Sequence, residues 1–201
     1  MKRIIVFGLL FVLFSCQNKE VLLPQANETI VADVKEHSPI YLYFKTEEKD
    51  TLIEVDETNS ASSINKVFNI DKQLPLRRVI LEIKKQQANK HSEKYFVYTD
   101  TVKKATAFLP FTKVKYNLEK PDFNVVYFYL DRNDLVHFKD EVFSKNELQT
   151  FLDKQSVPAS SIVFAYDKGM SFGKYIQYQF FVKHLVAPKG ITINSKKEYI
   201  Y

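Results

Sequence analysis

Four histidines, His37, His91, His137 and His184, are the side chains best suited to hold a metal, and they lie far apart in the chain. No two stand at the i, i+4 spacing that sets two imidazoles on one helical face, so no metal motif is legible. Serine pairs occur at Ser62-Ser63 and Ser160-Ser161, but without the flanking glycines of a nucleophile elbow. Both suit turns and helix caps better than acyl transfer. Only four glycines are available, and no phosphate-cradling loop or dinucleotide fingerprint is built from them. Asp167-Lys168 is the best-placed polar pair, because it follows an apolar run that reads as a strand, and loops at strand ends often carry binding residues. With Phe172 it forms the candidate interaction site, although Asp167 serves equally well as a turn residue accepting backbone hydrogen bonds. The acid pairs Asp131/Asp134 and Asp140/Glu141 suit hairpin and edge positions, where charge discourages strand aggregation. No catalytic residue, metal or cofactor follows from these residues.

Cys16 is the single cysteine, which excludes an intramolecular disulfide and any multi-cysteine metal site. It follows a basic start, Lys2-Arg3, and an apolar run from Ile4 to Phe14. A membrane span needs about 20 apolar residues, so the run is too short and has instead the length and flanks of a signal-peptide core. Leu13-Phe14-Ser15-Cys16 resembles the lipobox of bacterial lipoproteins, in which a small residue precedes an obligatory Cys. The resemblance implies cleavage before Cys16, a diacylglyceryl thioether on its sulfur and acylation, for example by palmitate, of the new amine. A plain secretory signal with a chance Cys is the competing reading, and the position of the lone Cys directly after the apolar run outweighs it. Acyl chains contributing about 0.8 kcal/mol per buried methylene would hold a soluble domain on a membrane almost irreversibly. Gln17 and Asn18 stand where the inner-membrane retention signal of lipoproteins uses Asp. The expected address is therefore the periplasmic side of the cell envelope, with the outer membrane favoured over the inner.

The elements that must position these residues come from an ordinary globular composition, 45% hydrophobic and 26% charged, which excludes collagen-like, low-complexity and disordered chains. The net charge is +5, and removal of Lys2 and Arg3 leaves 27 basic against 24 acidic residues, a net of +3. The pairs Arg77-Arg78, Lys84-Lys85, Lys103-Lys104 and Lys196-Lys197 are available to anionic headgroups or peptidoglycan, but so small a charge usually means a solvated surface. The expected compartment excludes nucleic acid.

The expected organisation is a signal at 1–15, the lipidated Cys and a polar tether at 16–38, a β-rich domain at 39–120 and a second domain at 121–201. In the first domain, Ile40–Phe44 and Thr51–Val55 read as strands around the charged turn TEEKD. Ser60–Gln73 reads as a short helix, with Ile64, Val67 and Phe68 at i, i+3, i+4 spacing. Val79–Ile83, Tyr95–Tyr98 and Thr112–Leu118 are further strand candidates. In the second domain, Asn124–Leu130 and Leu135–Phe138 flank the turn-forming Asp131-Arg132-Asn133-Asp134. Ser144-Lys145-Asn146-Glu147 is a capping box that opens a helix carrying Leu148, Phe151 and Leu152. Ser161–Tyr166 reads as a central strand, and Ser171 caps a helix with Tyr175, Tyr178, Val182 and Leu185 in a stripe, ended by Pro188 and Gly190. Ile191–Asn194 and Tyr199–Tyr201 supply the last strand material. The aromatic runs IYLYF and VVYFYL suit a sheet core more simply than a ligand-stacking face. The fold class is α+β, with the second domain in the order β-β-α-β-α-β.

That order, with the residues DRND, FSKNEL (Phe143–Leu148), SIVFAYDK (Ser161–Lys168), FGK (Phe172–Lys174) and GITI (Gly190–Ile193), resembles the periplasmic domain of the ExbD/TolR family of biopolymer-transport proteins. The similarity spans about residues 122–201. Members of that family keep an uncleaved transmembrane helix with an acidic residue used in proton flow, whereas Ile4–Phe14 contains no acid. The resemblance therefore implies an interaction module that is not the motor subunit itself. Such a module binds an envelope protein or peptidoglycan, is accessory to an ExbB/ExbD/TonB- or Tol-type system, and pairs as a homodimer. The other reading, a small-molecule-binding lipoprotein or lipoprotein hydrolase with a site assembled only by the fold, stays open. The first domain can also be read as a diverged copy of the second. Tyr41 to Val79 and Val126 to Val163 both run strand, turn, strand, helix, strand, a period of about 40 residues. Any two αβ segments produce such spacing, and that plainer reading weighs more.

Overall fold

A computed structural model of the chain describes residues 21–26, 28, 31–47, 50–57, 64–88, 94–101, 106–110, 115–154 and 161–201. The signal run, Cys16, Ser62-Ser63, His91 and Lys103-Lys104 lie outside them.

The first unit comprises β1 (Gln25–Ala26), β2 (His37–Glu47), β3 (Asp50–Asp56), β4 (Asn65–Ile70), α1 (Leu76–Ala88), β5 (Lys94–Thr101) and β6 (Thr106–Pro110). Its sheet runs β1-β5-β4-β2-β3, with β6 beside β5. The second unit comprises β7 (Lys115–Asn117), β8 (Tyr127–Leu130), β9 (Leu135–Phe138), β10 (Glu141–Ser144), a 3-10 turn at Lys145–Glu147, α2 (Leu148–Lys154), β11 (Ser161–Tyr166), α3 (Phe172–Lys183) and β12 (Thr192–Ile200). Its sheet runs β7-β12-β11-β8-β9-β10. Among the described residues the chain is mixed α and β, with three α-helices and two sheets, in keeping with the α+β class read from the sequence.

The two sheets share one topology. In each, a leading strand (β1 or β7) lies parallel to the last strand (β5 or β12), and the last lies parallel to the third (β4 or β11). The third lies parallel to the first strand of an antiparallel hairpin, β2-β3 or β8-β9. A helix, α1 or α3, links third strand to last, and the registers Leu42↔Ile70 and Leu130↔Tyr166 occupy the same place in each sheet. β6 is added to the first unit, and β10 with α2 to the second. β7 lies before the boundary expected at 120/121, yet it pairs with β12.

Burial explains the elements. Leu76, Val79, Ile80 and Ile83 of α1 are all 0% exposed, an i, i+3, i+4, i+7 stripe. β11 is buried from Ile162 to Tyr166 on both faces, as a central parallel strand requires. The inner faces of both sheets and the buried sides of all three helices belong to one contiguous core, from Ile40 and Phe68 to Phe164 and Ile200. Ser171 caps α3 by accepting from Lys174 N at 3.3 Å. The capping box is formed: Glu147 accepts from Ser144 N at 2.8 Å, and Ser144 Oγ accepts from Asn146 N at 3.3 Å.

Two expectations are corrected. The helix read at Ser60–Gln73 contains instead the strand β4, because Val67, Phe68 and Ile70 are buried between β2 and β5 while Ile64 is 62% exposed. The strand read at Val79–Ile83 is the middle of α1, whose entry follows Pro75, a residue with no N–H to leave unpaired at a helix start. The strand read at Thr112–Leu118 is present, as far as it is described, as the short β7, and β6 is an additional strand before it. In the second unit β10 stands between the hairpin and α2 as an additional strand, and the material read as two pieces, Ile191–Asn194 and Tyr199–Tyr201, is joined in the single long strand β12, Thr192–Ile200.

Candidate functional site

The polar pair read at the end of β11 sits in an elbow that enters α3. Asp167 is 8% exposed and accepts from Gly169 N at 2.7 Å, the turn role open to it from sequence. It also takes a bidentate ion pair from Arg132, Nε to Oδ2 at 2.6 Å and Nη2 to Oδ1 at 2.9 Å. Burial pushes this carboxyl up, but the Arg132 and Gly169 hydrogen bonds outweigh it and leave Asp167 below the ordinary carboxylate range. Lys168 is exposed, while its carbonyl accepts from Arg77 N at 3.1 Å. Phe172 is 0% exposed, so its ring lies in the core and presents no surface to a partner. The three sequence candidates are thus close in the chain but face different surroundings.

Around Asp167 the β8-β9 turn collects a charge cluster. Asp131 Oδ1 accepts from Asn133 N and Leu135 N, and its Oδ2 lies 3.2 Å from His137 Nε2. Asp134, which takes a positive φ of 64° that Asp tolerates, bridges Lys145 at 3.1 Å and Lys174 at 2.7 Å. Tyr178 of α3 donates to Asp131 O at 2.9 Å. Burial raises both carboxyls, yet the backbone donors and His137 at Asp131, and the two lysines at Asp134, leave them lowered. Both acids are therefore ionised at neutral pH, Asp134 between two lysines and Asp131 on backbone donors and the His137 ring, and the cluster clamps the hairpin to the start of α2 and to α3. Tyr129, beside it, is pushed up to about 12 by burial and by the charges of Asp167 and Asp131, so its hydroxyl stays protonated.

A second polar group lies inside the core. Glu198 of β12 is 3% exposed and accepts from Tyr175 OH at 2.6 Å and from Gln179 Nε2 at 2.8 Å. Gln179 also donates to Tyr166 OH at 3.1 Å, and Tyr116 of β7 is the cross-strand partner of Glu198. Burial raises Glu198 to about 7 against the pull of its two donors. The Lys-Lys-Glu-Tyr-Ile-Tyr sequence around it reads as a solvated strand, and only the packing of β7 and α3 shows otherwise.

The third feature is an edge. Among the described residues β10 ends its sheet and pairs with β9 only, and its Val142 is 55% exposed. Beside it a groove of 620 Å³ runs between β10 and α2, lined by Val142, Phe143, Asn146, Glu147, Thr150 and Phe151 among others. Phe143 and Phe151 stack at its base with centroids 4.6 Å apart. Compared with family models, curated proteins and solved structures, the chain gives no match.

Among the described residues no group of three or more His, Cys, Asp and Glu side chains is arranged to hold a metal. His137 and His184 are each tied to a neighbour, His137 to Asp131 and His184 to Glu28 and Phe180 O. No helix among the described residues is long and apolar enough to cross a membrane.

Proposed function

We propose that the chain is a lipid-anchored periplasmic envelope protein, an interaction module that binds an extended segment of an envelope protein. The observation that carries this reading is the open edge of β10 beside the groove floored by Phe143 and Phe151. A strand edge offers alternating main-chain N–H and C=O groups, which match another peptide strand and not a glycan, so a protein partner fits better than peptidoglycan. Natural sheets guard such edges with charge, and here Glu141 supplies one at the start of β10, while the 55% exposure of Val142 next to it leaves an apolar contact for an incoming strand.

The kinship with the ExbD/TolR periplasmic domain is part of the same proposal. What supports it is the role of the residues that carry the resemblance. DRND closes the β8-β9 hairpin, FSKNEL forms the cap of the 3-10 turn and α2, SIVFAYDK makes β11 and its elbow, FGK opens α3, and GITI leads into β12. Lipidation at Cys16 would then hold the module within reach of an envelope-spanning transport system. The test is a photocrosslinking residue in place of Thr150, which lines the groove, in the anchored full-length protein in cells. The expected result is a covalent adduct with an envelope protein that is absent when the crosslinker replaces Leu81 on α1. Equal adducts from both positions, or adducts with glycan alone, would count against the reading.

A further inference from the structure

The elbows that enter α1 and α3 touch each other, and they do so reciprocally. Each begins with Asp-Lys at the end of the third strand: Asp71-Lys72 after Ile70, and Asp167-Lys168 after Tyr166. Each Asp uses its side chain alike, since Asp71 Oδ1 accepts from Gln73 N at 2.8 Å as Asp167 Oδ1 does from Gly169 N at 2.7 Å. Each Asp N–H donates to the hairpin strand beside it, Asp71 to Leu42 O and Asp167 to Leu130 O. With Asp71 matched to Asp167, Leu76 is matched to Phe172 and Leu74 to Met170.

Across the elbows, Leu76 N donates to Met170 O at 2.8 Å and Phe172 N donates to Leu74 O at 2.8 Å. One residue further on, Arg77 N donates to Lys168 O at 3.1 Å and Gly173 N donates to Lys72 O at 2.8 Å. Every bond has a counterpart obtained by exchanging the two units, and Pro75 and Ser171, which are matched to each other, face one another at the centre. This is the signature of an isologous, two-fold contact, in which residue i meets j and the equivalent of j meets the equivalent of i. The leading strands repeat the exchange. Arg77 and Lys84 of α1 reach the carbonyls of Leu118 and Tyr116 around β7, while α3 lies on β1 and its Lys183 pairs with Glu28 at 2.7 Å.

We infer that the elbow is a self-complementary dimer contact, and that this chain carries both of its partners in tandem as two copies of one αβ unit. The homodimer implied by the family resemblance is then supplied within a single chain, and the protein is a monomer whose contact surface is already occupied. This inference rests on the shared topology and the reciprocal bonds, and stands apart from the proposed binding function.

The facing pair lies between the two reciprocal bonds and exchanges none itself, the non-hydrogen-bonded type of antiparallel pair in which side chains come closest, and a disulfide fits that separation. The test uses the chain with Cys16→Ser, Pro75→Cys and Ser171→Cys, oxidised at low protein concentration and weighed by native mass spectrometry. The expected product is a monomer carrying an internal disulfide, with the parent Cys16→Ser chain sedimenting as a monomer. Disulfide-linked dimers as the main product, or a parent chain that sediments as a dimer, would overturn the inference. Hydrogen exchange on the parent chain covers the case in which the double variant fails to fold. The amides of Leu76, Arg77, Phe172 and Gly173 should be protected together, by about 100-fold or more over free-peptide rates. Exchange of these four at unprotected rates would sink the contact.

Discussion

Arg132 grips Asp167 with two parallel hydrogen bonds while its guanidinium occupies the space in which a side chain on Gly169 would sit. A Cβ at Gly169 would collide with Arg132 Nη2, so the guanidinium must move before a side chain can stand there. Asp167→Ala removes the acceptor of both Arg132 and the Gly169 amide and should cost about 1–3 kcal/mol in urea unfolding. Arg132 is 57% exposed and its pair is partly screened, so Arg132→Ala should cost less than Asp167→Ala. The folded carboxyl lies below its ordinary value of 3.8. Its contribution is therefore fully present above that value and is lost as pH falls through the folded one, so wild type and Asp167→Ala should converge in acid.

Val142 separates binding from stability. Being more than half exposed on an edge strand, it should accept Val142→Lys with a stability change within about 0.5 kcal/mol. A lysine there gives the edge the charge with which sheets repel added strands. Crosslinking from position 150 to the envelope partner should fall to the level of the α1 control while the melting temperature stays unchanged.

Under the proposed lipidation, Cys16 would govern address rather than fold. Cys16→Ala is expected to leave the circular dichroism spectrum and melting temperature of the residues after it unaltered and to shift the protein from the membrane fraction to the soluble one, because the proposed acyl chains would supply the anchoring energy. Recovery of the variant in the membrane fraction at wild-type levels would exclude the thioether anchor.

Much of the second unit was legible, because its signals are local. The turn DRND, the Ser144/Glu147 box, the apolar run Ile162–Tyr166 and the Ser171 cap each lie within a few residues of the feature they specify. The first unit was misread where two local signals compete. Val79-Ile80-Leu81-Glu82-Ile83 is apolar and β-branched enough to read as a strand, and only the longer stripe back to Leu76 shows a helix. Asn65–Ile70 is short enough for its spacing to fit either element, and burial between two parallel strands decided it. The reciprocal elbow was beyond reach for a different reason. Its bonds are backbone to backbone, so almost any side chains satisfy them, and within the elbows themselves, 71–77 and 167–173, Asp-Lys is the one dipeptide that both units share. The Arg132–Asp167 pair likewise depends on β8 lying beside β11, which no spacing in the chain announces.

Glu198 gives the stability of the protein a pH dependence of a definite sign. Its carboxyl is raised from 4.5 in the unfolded chain to about 7 in the core, chiefly by burial. Below pH 4.5 both states are protonated and the group is neutral to folding. Between the two values the folded state keeps a proton that the unfolded state has lost, so stability declines as pH rises, and above about 7 the decline is complete. The full effect is on the order of 3 kcal/mol. The strand most exposed to it is β7, three residues long, whose Tyr116 lies opposite Glu198 and whose Asn117 side chain donates to Glu198 O at 3.1 Å. Glu198→Gln keeps the shape and an acceptor for Tyr175 while removing the charge. It should flatten the fall in unfolding free energy from pH 5 to 7.5, leaving the variant more stable than wild type at the upper end. Amide exchange at Lys115–Asn117 should speed up with pH, beyond the intrinsic increase, in wild type but not in the variant. A wild-type protein whose stability is flat or rises across that interval, after Glu198→Gln has been shown to fold, would mean that Glu198 is ionised in the core and held there by its donors.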